Sequence, residues 1–178
     1  EGIKVDIPIS ARLAPPVFGL GLIDAIHLSD KLKLADPHDS NNDGISGVLP
    51  QRFNETGKFS WRLEHSQLRQ QVGNAFSHDM GLSSASFPQH YGDCTETQIV
   101  CRNASSGADE KEGVEVTKLM MDLIEEYLLS LAPPKRLVTS SPKILEGKEN
   151  FYDFKCHSCH HPKYVTRADY PKSELRFQ

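Results

Sequence analysis

The sequence predicts a mostly α-helical chain with long loops, on three observations. Residues 114–131 place Val116, Leu119, Met120, Leu123, Ile124, Tyr127, Leu128 and Leu131 at helical spacing, a wide apolar face opposed by Glu115, Asp122, Glu125 and Glu126. A second stretch, 65–76, repeats the pattern with Leu68, Val72 and Ala75 or Phe76 along one side. No segment sustains the two-residue alternation of a strand beyond short isolated runs.

Taken in order, residues 1–19 read as extended or irregular, because Pro8, Pro15 and Pro16 block a regular helix. The apolar run from Val17 to Ile26 fits a short helix in its second half, and Ser29 is placed to cap another over 30–35. Residues 36–47 are turn-forming. Within them Asp39, Asn41 and Asp43 stand two residues apart and Gly44 follows, which is the first half of an EF-hand-type calcium loop. The twelfth position, normally a bidentate Glu, is Pro50. Two readings stay open: a structural calcium held by Asp39, Asn41, Asp43 and the Ile45 carbonyl, or a plain Asx-rich turn.

Residues 59–61 read as a short extended piece, and the chain leaves the helix of 65–76 through Ser77-His78-Asp79-Met80-Gly81-Leu82. Residues 83–113 are polar and loop-like. Pro133-Pro134 stops the long helix. Residues 135–143 read as a linker, and a last helix is expected from Ile144 through Phe151 and Phe154 to Cys156.

The 178 residues suffice for one domain or two small ones, with 38% hydrophobic content for a modest core. With 20 basic and 24 acidic residues, nothing favours a nucleic-acid partner. No apolar run approaches a membrane span, and no secretory signal is visible. The chain opens at Glu1 without an initiator Met, so a processed or truncated piece is expected. Cys94 and Cys101 lie in a polar segment. A disulfide would staple a stretch with little core of its own, whereas two free thiols would be exposed to oxidation. A disulfide here points to an oxidising compartment.

The most definite chemical pattern is Cys156-His157-Ser158-Cys159-His160. Cys-x-x-Cys-His is the attachment signature of c-type haem: two thiols bond to the porphyrin vinyl groups, and the following histidine serves as the proximal iron ligand. The rivals are a zinc site completed by His160 and His161, a thioredoxin-like redox pair, which wants a βαβ context, and a chance match in a His-rich stretch.

Several segments together resemble one family. They are 14–22 (Ala-Pro-Pro-Val-Phe-Gly-Leu-Gly-Leu), Asp36-Pro37 through Asp43-Gly44-Ile45-Ser46-Gly47, 75–81 (Ala-Phe-Ser-His-Asp-Met-Gly), 127–134 (Tyr-Leu-Leu-Ser-Leu-Ala-Pro-Pro) and the motif at 156–160. In this order, over nearly the whole chain, they resemble the bacterial di-haem oxidoreductases of peroxidase type, also called thiol-oxidoreductase-like proteins, a family related to the di-haem cytochrome c peroxidases. The resemblance implies two cytochrome c-like helical domains, each with a haem motif. This chain shows only the second motif, and eighteen residues follow His160. It therefore resembles a first cytochrome c-like domain over 1–134 that lacks its own attachment site, a linker over 135–143, and over 144–178 the start of a second haem domain.

On that resemblance Met80 is expected to face the haem of the first domain as a soft axial ligand, with His78 its competitor and a buried core Met the alternative. Phe59 and Trp61 are candidates to pack on a haem or in the core, and His157 and His161 are expected to be bystanders. The implied function is a c-type haem oxidoreductase of the bacterial periplasm that passes electrons to peroxide. It would take them from a redox partner protein or a small donor. A pure electron-transfer cytochrome and a calcium-stabilised binding module are the alternatives. No catalytic acid or base is identified, and the piece alone is expected to be inactive as a peroxidase.

Overall fold

The computed structural model describes residues 11, 13–52, 55–135 and 140–178. Among them the chain is mostly helical, as expected. The helices are α1 (Leu20–Ala25), α2 (Leu28–Leu32), α3 (Leu68–Met80), α4 (Ile99–Arg102), α5 (Lys118–Ser130) and α6 (Pro142–Asp153). Two short 3-10 turns, Cys156–Ser158 and Ser173–Leu175, follow α6. The described strands are β1 (Gln51–Arg52) and β2 (Glu55–Thr56), an antiparallel pair in which Gln51 faces Thr56 and Arg52 faces Glu55.

The core lies where α3 and α5 pack. Phe59, Leu68, Val72, Val116 and Met121 are buried there, with Leu20, Phe76, Leu82, Ile124, Leu128 and Leu129 packed against them. Each fully buried aliphatic or aromatic side chain contributes roughly 1.5–3 kcal/mol relative to exposure. Across the same interface Arg69 on α3 pairs with Asp122 and Glu125 on α5. The start of α1 is tied to the end of α5 by Gly19, whose N–H donates to the Leu131 carbonyl at 2.7 Å from a φ of +76°. At Gly21 the Leu129 carbonyl leaves no room for a Cβ, so only glycine permits this approach.

Several boundaries differ from the sequence reading. Helix α3 does not end near Phe76 but runs to Met80, because Gly81 adopts φ +70° and caps the helix. There the Leu82 N–H donates to the Phe76 carbonyl at 2.8 Å, and the Gly81 N–H to the Ser77 carbonyl at 3.1 Å. Helix α2 begins earlier than expected. His27, not Ser29, is its cap, and His27 Nδ1 accepts from the Ser29 N–H at 3.1 Å. The long helix starts at Lys118, capped by Thr117, because Val116 instead bridges Ser84. Only Phe59 of the piece 59–61 pairs as a strand residue, bridging His65, and it is core. Trp61 sits on an exposed turn. Of the expected linker, residues 136–139 lie outside the described residues, and α6 opens at Pro142 behind Ser141.

The segment after the motif returns to α1 and α5. Thr166 bridges Ile26, and the Arg167 N–H donates to the Ala25 carbonyl at 2.9 Å. Buried Tyr170 donates its hydroxyl to Asp24 Oδ2 at 2.7 Å, and Lys58 Nζ holds Asp24 Oδ1 at 2.8 Å. Lys172 pairs with Glu126 of α5. Burial and the Asp24 carboxylate push the Tyr170 phenol well above its ordinary range.

Candidate functional site

The motif sits directly beyond α6. After the Phe154 cap, Lys155 turns left-handed at φ +57°, and Cys156–Ser158 form the 3-10 turn. The Cys159 and His160 N–H groups both donate to the Cys156 carbonyl, at 3.2 and 2.8 Å. This single tight turn presents Cys156 and Cys159 as free, exposed thiols and leads straight into His160. His160 lies at the edge of a recess of about 490 Å³ lined by Ile144, Lys148, Phe151, Tyr152, His161 and Pro162. The helical residues are spaced to share one face of α6. His157 rests against Tyr152, ring centroids 5.1 Å apart, and His161 against Tyr164 at 4.7 Å.

Two unpaired thiols, a following imidazole and an open aromatic recess fit a covalently held haem. The rivals find less support. Among the described residues no group of three or more His, Cys, Asp or Glu side chains gathers to cage a metal, and the described sheet is the short β1–β2 pair.

Met80 ends α3 with its side chain 64% exposed, so it is no buried core methionine. It lies on the rim of an apolar cavity of about 270 Å³ whose walls include Val17, Leu20, Val72, Phe76, Ile124 and Leu128. Gln71 also lines this cavity, and its buried Oε1 finds no hydrogen-bond partner among the described residues. Leu119, Met120, Leu123 and Tyr127 leave an exposed apolar stripe on α5. The expected competitor, His78, is engaged elsewhere. Its Nδ1 meets the Asn74 carbonyl at 3.0 Å and its Nε2 meets Asp93 Oδ1 at 3.2 Å.

Cys94 and Cys101 are joined as a disulfide. The loop it closes carries α4, and the Arg102 guanidinium lies 4.2 Å over the Tyr91 ring. At its entry Gly92, at φ +49°, lies so close to the Ser77 carbonyl that a Cβ would crowd it at 2.8 Å. The disulfide loop thereby rests on the end of α3 that bears Met80.

The loop of 36–47 is stitched by its own backbone. Asp39 accepts from the Asp43 N–H at 2.9 Å and from the Gly44 N–H. Asn41 Oδ1 accepts from the Asp43 N–H at 3.0 Å, and Asp43 Oδ1 from the Ile45 N–H at 2.9 Å. The Ser40 N–H and hydroxyl on Asp36 hold its carboxyl below the usual range. Asp36, Asn41, Asp43 and Ile45 share a cavity of about 430 Å³ with Ser158 of the motif, a juxtaposition absent from any sequence signal.

These features describe a mostly helical chain whose Cys156-to-His160 turn opens on an aromatic recess. The chain belongs to the family described as "di-haem oxidoreductase, putative peroxidase", whose model matches residues 2–173. No curated protein and no solved structure matches it. Among the described residues no helix is long and apolar enough to cross a membrane.

Proposed function

We propose that this chain carries c-type haem and serves a periplasmic oxidoreductase that reduces peroxide with electrons from a redox protein or small donor. The observation that carries the reading is the pair of free thiols, Cys156 and Cys159, one turn before His160 on an aromatic recess. In this reading Cys156 and Cys159 attach the porphyrin and His160 is the proximal iron ligand. When bound, the haem supplies one-electron chemistry and an iron that handles oxygen ligands. Ile144, Phe151, Tyr152 and Pro162, which line the recess, would shield a haem held there from water, and Lys148 would offer a cation to its carboxylates. Met80, on the separate cavity that Gln71 also lines, would supply a thioether to the family's other haem. A calcium ion on Asp39, Asn41, Asp43 and the Ile45 carbonyl would brace the loop that adjoins Ser158.

The test uses protein made in cells with a haem-attaching periplasm. Denatured mass spectrometry should show haem retained on the peptide holding Cys156 and Cys159, and Cys156→Ala with Cys159→Ala should lose it. The di-haem protein should turn over peroxide with an electron donor, and Met80→Ala should alter the spectrum of the haem not bound at Cys156 and Cys159. An unmodified mass at that peptide would sink the reading.

A further inference from the structure

Asp24 on α1 gathers a cluster that the haem chemistry leaves unused. Its Oδ2 accepts from the Tyr170 hydroxyl at 2.7 Å, and its Oδ1 accepts from Lys58 Nζ at 2.8 Å. The Arg167 guanidinium lies 5.1 Å from the centre of the Tyr170 ring. Among the described residues, Tyr170 alone of the five tyrosines donates its hydroxyl to a carboxylate. The Tyr91 hydroxyl accepts from Arg102 instead, and Tyr127 and Tyr152 are exposed.

We infer that Tyr170 is a redox-active tyrosine, giving one electron to a metal-centred one-electron oxidant and its phenolic proton to Asp24. The phenol O–H bond breaks, an O–H bond forms on Asp24 Oδ2, the oxidant is reduced by one electron, and a neutral phenoxyl radical stays on the ring. One electron from a donor, with return of the proton, restores the phenol. An oxidised phenol is a strong acid, so it forms most readily where a base already holds its proton. The Tyr170–Asp24 distance is within reach of direct proton transfer. The Arg167 cation disfavours a positively charged ring radical by Coulomb repulsion, so the proton must leave with the electron. Burial and Asp24 raise the phenol's pKa, so at neutral pH the proton stays until an electron departs. At 5% exposure the ring is also shielded from molecules that would quench a radical.

The position suits an electron relay. Tyr170 belongs to the segment that leads from the motif back to α1, and the same segment sets Tyr164 against His161 on the motif's recess. Its partner Asp24 lies one turn of α1 from Leu20, which lines the Met80 cavity. For the cell's own oxidant this rests on the haem reading above; the chemistry of the Tyr170–Asp24 pair does not. Because the same bond anchors the C-terminal segment, the readout must be the radical itself.

Flash photolysis of the protein as isolated, with tris(bipyridine)ruthenium(II) and a cobalt(III) quencher, supplies a one-electron oxidant that needs no haem. Freeze-quench electron paramagnetic resonance reads the product. A long-lived tyrosyl signal is expected, forming more slowly in deuterium oxide. Tyr170→Phe should lose it, while Tyr127→Phe keeps it. Asp24→Asn can still accept the phenolic hydrogen bond but takes up no proton, and should lose the signal too, with circular dichroism confirming each fold. If Tyr170→Phe or Asp24→Asn fails to fold, electron–nuclear double resonance of the wild-type radical must show an exchangeable proton hydrogen-bonded to the phenoxyl oxygen. No long-lived tyrosyl signal, no isotope effect, no such proton, or a signal surviving in folded Tyr170→Phe or Asp24→Asn overturns the inference. A Tyr170 signal in protein that carries no haem on Cys156 and Cys159 upholds the inference while refuting the haem reading.

Discussion

Replacing Glu115 by Ala should destabilise the protein more than its position in a long loop suggests. The Glu115 carboxylate accepts from the Ser83 N–H at 2.8 Å, the Ser83 hydroxyl at 2.9 Å and the Gly107 N–H at 3.0 Å. Ser83 is 1% exposed, so its freed donors cannot reach water. The Glu115 N–H returns a bond to Ser83 Oγ at 3.0 Å, and the Val116 N–H donates to the Ser83 carbonyl at 2.9 Å. This clasp fixes the chain as it enters α5 and so helps set the face that bounds the Met80 cavity. Losing three bonds to a charged acceptor and stranding a buried N–H costs about 3 kcal/mol. For a chain of this size that lowers the melting temperature by about 6–12 °C. The assay is thermal denaturation by circular dichroism at neutral pH.

Acid gives a second readout. The Ser83 and Gly107 N–H groups hold the Glu115 carboxyl below its ordinary value. A lowered folded pKa contributes stability that is present above the unfolded value, about 4.3 for Glu, and is lost as pH falls through the folded value. The gap between wild type and Glu115→Ala should therefore narrow in acid. Glu115→Gln, which keeps one acceptor for Ser83, should fall between them. A Glu115→Ala melting point within about 2 °C of wild type, less than the loss of one hydrogen bond predicts, would refute the reasoning. So would a gap that persists unchanged at low pH.

Tyr170→Phe removes the hydroxyl that bonds Asp24 and should cost about 1–2 kcal/mol; the C-terminal segment should also become more open to proteolysis. Equal melting and equal proteolysis would show that the tail is held by other contacts. Reducing the Cys94–Cys101 disulfide closes a short loop no longer and should cost about 2 kcal/mol, read as a lower melting temperature of Cys94→Ser with Cys101→Ser. Chelating calcium should lower the melting temperature if Asp39, Asn41 and Asp43 hold an ion, and Asp43→Asn should abolish that response. Identical melting with and without chelator would leave the loop a self-stitched turn.

The sequence by itself determined the chemistry written in adjacent residues. Helical periodicity located α3 and α5, because an amphipathic helix needs only a local pattern. The Cys156-to-His160 spacing pointed to haem, the cofactor in the family's description, and needs only one tight turn of chain to be read. The family was legible from ordered short segments, and the family match over 2–173 bears it out. What lay beyond local pattern was decided by tertiary structure. Helix α3 continues to Met80, where Gly81 takes a left-handed cap closed on the Ser77 and Phe76 carbonyls, with Ser77 buried and Leu82 packed on the core. The return of Thr166 and Tyr170 to α1 rests on bonds to Asp24 and Ala25 that are more than a hundred residues away in sequence. The clasp between Glu115 and Ser83 and the cavity joining Ser158 to the Asp-rich loop have the same origin. Each depends on non-local contacts whose partners carry no spacing in the chain, so only the folded backbone could bring them together.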